Sequence, residues 1–289
     1  IRCSTRPDAV GDEAITLLQS YGVKTVELGV QSMNDGILVD AKRGHTAQEV
    51  VDAVDRLKQR GMIVGVQLLP GLKGETWETI LETAIAVVKL KPDFVRIYPV
   101  LVIENTELAD QYRSGEYKPL STEQAITYCA FLKEWFEEHN IEVIRTGLQS
   151  TEELDSGNSL VAGPYEPAMG ELVVNEQFKQ RIERCFDEHF SESSSESSFG
   201  DQYTYNFLPL SNHYSHKAEC RTHANNTDIL MQNRIVISYP RSLTSKVRGL
   251  KNRNILYFQE AYPQFNIEWC EDSTRNTVRC CIDGLQYVL

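Results

Sequence analysis

Two apolar runs with an amphipathic stretch between them set the pattern of this chain. Val23–Val30 and Met62–Leu69 read as strands, each ending in a polar or glycine-bearing loop. Between them, Thr46–Gly61 carries Ala47, Val50, Val51, Val54 and Leu57 at three- and four-residue intervals, the period of a helix with one apolar face. Thr46 stands where a cap belongs and Gly61 where the helix stops. Strand, helix and strand in this order predict a parallel βαβ unit, whose ligands lie at the carboxyl ends of its strands. Glu27, Gln31 and Ser32 mark the first of those ends, Gln67, Pro70 and Gly71 the second, and Arg43 lies in the connection.

The alternation continues on both sides. Ile1–Arg6 predicts a strand, and Asp8 an N-cap for a helix to about Tyr21 with Ala9, Ile15, Leu17 and Leu18 on its apolar face. Thr76–Leu90 predicts a helix and Phe94–Leu101 a strand. A helical turn within Glu104–Gly115, a long helix Ser121–Asn140 and a strand Ile141–Ile144 follow. The near-continuous apolar strands predict burial on both faces. A parallel barrel and a doubly wound sheet satisfy this pattern equally.

After Gly147 the rhythm changes. Thr151–Asn158 is acidic and turn-rich, Leu160–Gly170 is a Gly/Pro loop, and Glu171–His189 is helical again. Ser191–Ser198 (SESSSESS) is too polar to offset its ordering entropy and reads as a linker or disordered insertion. Beyond it, Arg234–Tyr239, Ser242–Ala261, Phe265–Trp269 and Val278–Ile282 predict a small β-α-β-β module. The division expected is therefore 1–185, a polar linker 186–225, and a module 226–289.

Composition narrows the class. Of 289 residues, 41% are hydrophobic and 24% charged, as in ordinary globular proteins. No run approaches the roughly 18 apolar residues of a membrane helix, and IRCSTRPDAV has no signal-peptide pattern. The chain opens inside a strand-like run without Met, so a fragment is expected. Seven scattered cysteines lack disulfide-framework spacing, which places the protein in a reducing compartment, the cytoplasm. A net charge of −12 argues against a globally basic nucleic-acid binder and leaves a local patch open.

Three short motifs carry candidate chemistry. Glu27-Leu-Gly-Val-Gln31-Ser32 can hold a ligand's hydroxyls and amine, or can simply end a half-exposed strand. Lys42-Arg43-Gly44-His45-Thr46 offers an Arg fork that grips carboxylates, or a solvated loop before a cap. Gln67-Leu-Leu-Pro70-Gly71-Leu-Lys73-Gly74-Glu75-Thr76 lets backbone approach a flat ligand, or makes a plain turn. In order and spacing together, ELGVQSMNDGIL, KRGHT and GVQLLPGLKGET resemble the radical S-adenosylmethionine (SAM) enzymes. They are most similar to the branch of oxygen-independent coproporphyrinogen oxidases and the Elongator catalytic subunit. Arg96-Ile-Tyr-Pro-Val100 and Ala162–Leu172 extend the likeness, which covers about residues 1–185.

The resemblance implies an α/β fold, a partial (β/α) barrel of TIM-barrel-like type followed by a small C-terminal α/β module. It implies SAM as cofactor, with Glu27 and Gln31 near its methionyl and ribose parts and Arg43 on its carboxylate. Ser32 belongs to the same strand end. Gln67 stands where porphyrin-pathway members have Asp at the ribose, Gly71 lies against the adenine, and Lys73 replaces a usual Pro. It also implies a 4Fe–4S cluster held by CxxxCxxC. This spacing does not occur in the chain, and its ligands are expected upstream of Ile1. The implied activity of the intact enzyme is 5′-deoxyadenosyl-radical chemistry, with RNA or a tetrapyrrole as substrate class. Two other classes stay open: a non-catalytic SAM- or RNA-binding barrel protein, and a non-radical barrel enzyme acting on a sugar phosphate.

Outside these motifs, Arg241, Lys246, Arg248, Lys251 and Arg253 cluster with no acid among them. They read either as an RNA-contacting surface or as a solvated helix face. His213, His216, Cys220 and His223 have metal-like spacing but sit in what reads as a polar loop. Tyr98 and Tyr165 are candidates for lining a cavity.

Overall fold

The computed structural model describes residues 1–157, 159–193, 218–219 and 234–289. The chain divides into two compact units, Ile1–Val173 and Val174–Leu289.

The first unit runs β1 (Arg2–Thr5), α1 (Asp12–Ser20), β2 (Thr25–Gln31), α2 (Asp35–Asp40), α3 (Ala47–Gln59), β3 (Ile63–Leu68), α4 (Trp77–Leu90) and β4 (Phe94–Ile97). It continues with β5 (Val102–Ile103), α5 (Glu107–Ser114), α6 (Thr122–Glu138), β6 (Glu142–Thr146), α7 (Glu152–Asp155) and β7 (Leu160–Ala162). Strands β1-β2-β3-β4-β6 form one parallel sheet in sequence order. A doubly wound sheet needs a point where strand order reverses, and none exists here. Right-handed crossovers therefore keep the helices on one face, which is the layout of a partial (β/α) barrel.

Alternation along the strands sorts their side chains by face. Val26, Leu28, Val30, Val64, Val66, Leu68, Val95 and Ile97 are all buried, on the face covered by helices. Ile15, Val50, Val54, Leu57, Ile80 and Val87 supply the helix side of that layer. Each such side chain contributes about 1.5–3 kcal/mol by leaving water. The other face carries Ser4, Glu27, Gly29, Gln31, Gly65, Gln67 and Arg96, brought level by the registers Ser4↔Glu27↔Gly65 and Gln67↔Arg96. Burial on both faces holds for the central strands β2 and β3, and the second buried face is polar and glycine-bearing.

Local signals explain most boundaries. Thr46 Oγ1 accepts from Glu49 N at 3.2 Å while Thr46 N donates to Glu49 Oε2 at 2.7 Å, so α3 starts in a capping box. Ser121 and Gln124 repeat the device at α6. Asp8 does not cap α1. Pro7–Ala9 makes a 3₁₀ turn, Gly11 is the N-cap, and Asp8 takes both donors of Arg6 at 2.9 and 2.6 Å. Leu17, expected on the apolar face of α1, is 58% exposed. The short turn expected near residue 107 is the helix α5, closed by Gly115 at φ 80°. The Gly/Pro loop opens with a strand, β7, paired antiparallel to β5.

The second unit contains most of α8 (Met169–Ser193), then β8 (Ala218–Glu219), β9 (Arg234–Tyr239), α9 (Thr244–Arg248), α10 (Arg253–Ala261), β10 (Asn266–Glu271), β11 (Arg279–Ile282) and β12 (Leu285–Val288). Its sheet order is β10-β9-β11-β12-β8, with β10 parallel to β9. Phe178, Ile182 and Phe186 of α8 share a core with Ile235, Ile237, Tyr239, Val247 and Phe258. The helix expected over Glu171–His189 runs on to Ser193, so the linker boundary expected at 186 falls inside it. The module also has one strand more than expected, β12. The SESSSESS tract after Ser193, and His213, His216, Cys220 and His223, lie outside the described residues. Among the described residues, no helix is long and apolar enough to cross a membrane.

Candidate functional site

On the polar face of the first unit, Glu27 is 2% exposed and fully engaged. Its Oε1 lies 3.1 Å from Arg2 Nη1, and its Oε2 lies 3.1 Å from Arg96 Nε and accepts from Gln67 Nε2 at 2.8 Å. Gln67 Nε2 also reaches Ser4 Oγ at 3.4 Å, and Arg96 Nη1 donates to the Tyr98 hydroxyl at 2.9 Å. Two cations thus neutralise one buried carboxylate, and an amide donates to it, across β1 to β4. Arg2, Ser4 and Arg96 were not among the sequence candidates, because strand register decides which positions meet.

Closer to the carboxyl end of β2, Gln31 is 8% exposed and takes φ 69°, where the pairing of β2 with β3 shifts register. Its Oε1 is buried without a partner, and so is Nε of Arg43. A Cβ built on Gly29 would lie 2.8 Å from Gln31 Nε2 and 3.5 Å from Arg43 Nη2. Gly29 therefore lets the Gln31 amide lie directly over the β2 backbone, with the Arg43 guanidinium next to it. Burial, and then the nearby Arg6 cation, lower the Arg43 pKa, so an anion there would be favoured. Beneath this corner, His45 Nε2 meets Val30 O at 3.2 Å.

The other candidates divide. Ser32 is fully buried, but its hydroxyl lies 3.2 Å from Thr83 Oγ1 of α4 and accepts from Asn34 N at 3.2 Å. These contacts fix the chain after β2. Gly71 takes φ 99°, donates to Glu75 Oε2 at 2.5 Å and accepts from the Tyr117 hydroxyl at 2.6 Å. A Cβ there would come within 3.0 Å of Leu120, so the loop after β3 needs glycine for both space and conformation. Burial pushes the Glu75 carboxyl up to about 7 against the pull of the Gly71 and Leu72 amides.

Elsewhere in the unit, a small, partly open concavity is lined by Pro99, Leu101, Gly147, Leu148, Pro164, Tyr165, Glu166 and Met169. Tyr165 lines it and donates to Asp155, which also accepts from Ser150 at 2.7 and 2.5 Å. Tyr98 does not line it; its hydroxyl faces Arg96.

These residues fit one part of the cofactor pair better than the other. An amino-acid carboxylate and ammonium would satisfy the unpartnered Arg43 Nε and Gln31 Oε1. For an iron–sulfur cluster the donors do not fit. The described residues hold no group of three side chains able to bind a metal, and Cys129, Cys185 and Cys280 are buried with raised thiol pKa values.

The fold, the polar strand ends and the sequence agree on a class: the chain belongs to the radical SAM superfamily. The family model for the Radical SAM superfamily matches residues 1–86, and that for the Radical_SAM C-terminal domain matches residues 92–180. Within that class, the chain is similar to the tRNA uridine(34) acetyltransferase of Methanocaldococcus jannaschii, 40% identical over 132 residues, 45% of this chain and 24% of the relative. The human Elongator complex protein 3 is 30% identical over 133 residues, 45% of this chain and 24% of the relative. The solved structure of Methanocaldococcus infernus Elp3 with an N-terminal deletion superposes with TM-score 0.56 at 32% identity, covering 63% of this chain and 42% of that one. The matched stretch thus spans about a quarter of the length of these two curated relatives.

Proposed function

We propose that the first unit binds SAM at the carboxyl end of β2. Arg43 takes the methionyl carboxylate through its fork of donors, and Gln31 Oε1 accepts from the methionyl ammonium. Gln67 faces the ribose. Glu27 acts from behind, since Arg2, Arg96 and Gln67 already occupy its oxygens, and it holds the latter two in place. Gly71 brings backbone to the adenine, and Ser32 serves the turn alone. The observation that carries this reading is the pair of buried, unpartnered polar atoms, Gln31 Oε1 and Arg43 Nε, whose side chains both lie over Gly29. Leaving both unmet costs roughly 1–3 kcal/mol each, which a bound amino-acid group offsets.

In radical SAM enzymes the bound SAM supplies a 5′-deoxyadenosyl radical when a 4Fe–4S cluster reduces it. The share of this chain's own residues is to bind and orient SAM, as part of an enzyme. For the substrate we favour RNA in the cytoplasm. The relatives named as tRNA uridine(34) acetyltransferases support this, as does the basic stretch Arg241, Lys246, Arg248, Lys251 and Arg253.

Calorimetry of the whole chain with SAM tests the cofactor reading. Wild type should bind, and Arg43→Ala should weaken binding at least about tenfold, the equivalent of 1.4 kcal/mol. Ser32→Ala should leave affinity within about twofold. No binding by wild type, or equal binding by Arg43→Ala, overturns it.

A further inference from the structure

The basic stretch of the second unit is more than a charged surface. Strand β9 leads through a 3₁₀ turn into α9, then the tetrapeptide Gly249-Leu250-Lys251-Asn252, then α10, and returns in β10. Strand β10 lies beside β9 and parallel to it, with Asn266 opposite Arg234 and Glu271 opposite Tyr239. Two adjacent parallel strands are usually joined by one helix. Here they are joined by two helices with a sharp turn between.

That turn is held in an uncommon shape. Gly249 has φ 76°, and a Cβ there would lie 2.7 Å from Arg253 Cγ and 3.1 Å from Asn254 N. Lys251 and Asn252 follow in the left-handed region at φ 53° and 62°. Asn tolerates that region; Lys does so at a cost of order 1 kcal/mol. Two buried amides enforce it. Asn175 Oδ1 accepts from Leu250 N at 2.9 Å, and its Nδ2 donates to the carbonyls of Ser245 and Lys246, both at 3.1 Å. Asn254 Nδ2 donates to the carbonyls of Asn175 at 2.9 Å and Val247 at 3.0 Å. With backbone fixed from below, Leu250 and Lys251 are pushed into solvent, Leu250 being 37% exposed.

The cations around the turn have no acidic partner among the described residues, although Arg248 lies against the Tyr239 hydroxyl with its Nε buried. Among the described residues, none of Arg241, Lys246, Arg248, Lys251 and Arg253 forms an ion pair, in a chain of net charge −12. Helix α10 begins with Arg253, has no acid in its first turn and no side-chain cap. A cation at the positive end of a helix dipole costs about 0.3–1 kcal/mol, and a phosphate beside it reverses that sign. Strand, helix, G-x-x-G turn, helix and strand is the arrangement by which KH modules clamp the backbone of four nucleotides in a single strand. Asn252 here stands at the position of the second glycine, in the left-handed region that Asn and Gly both tolerate.

We infer that β9–α9–α10–β10 is a KH-like module, and that its Gly249–Asn252 turn clamps the phosphate backbone of single-stranded RNA. This rests on the reading of the basic stretch as an RNA-contacting surface and narrows it to one turn and one form of RNA.

The test uses the whole chain and fluorescence anisotropy with a labelled mixed-sequence single-stranded RNA, the same sequence as duplex RNA, and its DNA counterpart. Measurements are made at about 50 and about 200 mM KCl. Three variants are compared: Leu250→Asp/Lys251→Asp in the turn, Lys251→Ala as a milder change, and Arg241→Glu/Lys246→Glu away from it. Wild type should prefer single-stranded over duplex RNA at least about tenfold, as expected for a backbone clamp too narrow for two strands. The turn double variant should lose at least about tenfold in affinity and show a shallower salt slope, with Lys251→Ala losing about threefold. Circular dichroism melting at the wild-type temperature shows that the variants fold. Loss on Arg241→Glu/Lys246→Glu with none in the turn variants overturns the clamp while the broader RNA surface stands. Equal or tighter binding of duplex RNA, or of the DNA strand, also overturns the clamp. No RNA binding by wild type overturns both readings.

Discussion

Glu75→Gln should make the first unit more stable at alkaline pH, although it removes a charge that accepts a hydrogen bond. The Glu75 carboxyl sits under the Gly71 loop, and burial lifts its pKa from 4.5 to about 7. Between those two values the folded chain holds a proton that the unfolded chain has released. Stability therefore falls as pH rises through this window, and the cost is complete above it. Each pKa unit is worth 1.36 kcal/mol, so the ionised side chain costs at most about 3 kcal/mol, less where water still touches it. Gln keeps an oxygen to accept from the Gly71 amide and carries no charge to desolvate. Urea denaturation followed by the fluorescence of Trp77 and Trp135, in a Trp269→Phe background, reads the first unit alone. At about pH 8 the variant should gain about 1–3 kcal/mol, and at about pH 4, below both values, the two proteins should agree within about 0.5 kcal/mol. Parallel pH profiles for the two proteins, or a variant less stable at pH 8, would refute the reasoning.

Two further predictions concern the polar face. Glu27→Ala strands Arg96 and Gln67 without their shared acceptor and should cost about 3 kcal/mol in urea denaturation; a loss below about 1 kcal/mol would mean water replaces the carboxylate. Gly65→Ala places a Cβ 2.3 Å from the Phe94 ring, so the ring must move. The expected loss is about 1–3 kcal/mol, and Phe94→Leu should recover part of it in a double-mutant cycle. Strict additivity of the two changes would show that the ring is not the obstacle.

What sequence revealed and what it hid follow from the range of the interactions. The helix α3 was legible because its period, its capping residue Thr46 and its stop at Gly61 all lie within one short window. The meeting of Glu27 with Arg2 and Arg96 was not, since nothing local tells a strand which residue lies opposite. Glu27, Gln31 and Gln67 were legible as polar strand-end residues, but their meeting on one face with Ser4 and Arg96 was not, because it depends on register between strands. Ser32 looked like part of the strand-end cluster by proximity in sequence, whereas Thr83, far along the chain, claims its hydroxyl. Asp8 looked like a cap until Pro7 set a tighter turn and Arg6 took its carboxylate. Gly71 was legible as a special backbone position, yet the carboxyl and hydroxyl that grip it, Glu75 and Tyr117, were not. Phe178, Ile182 and Phe186 have helical spacing, but the partners that draw them into the second unit come from strands much later in the chain.

The sequence-ordered sheet of the first unit has a consequence for how the protein is made. Every strand pairs with the one before it in the sheet, so each step closes one modest loop, and closure entropy grows only slowly with loop length. The longest excursion lies between β4 and β6, where β5, α5 and α6 intervene. Glu27, Gln67 and Arg96 come from β2, β3 and β4, on the near side of that excursion. A nascent chain emerging amino end first can therefore neutralise its buried carboxylate while α6 and β6 are still being synthesised. The ion-pair network can then act as a fastener that holds the early strands in register while the sheet waits for its last member.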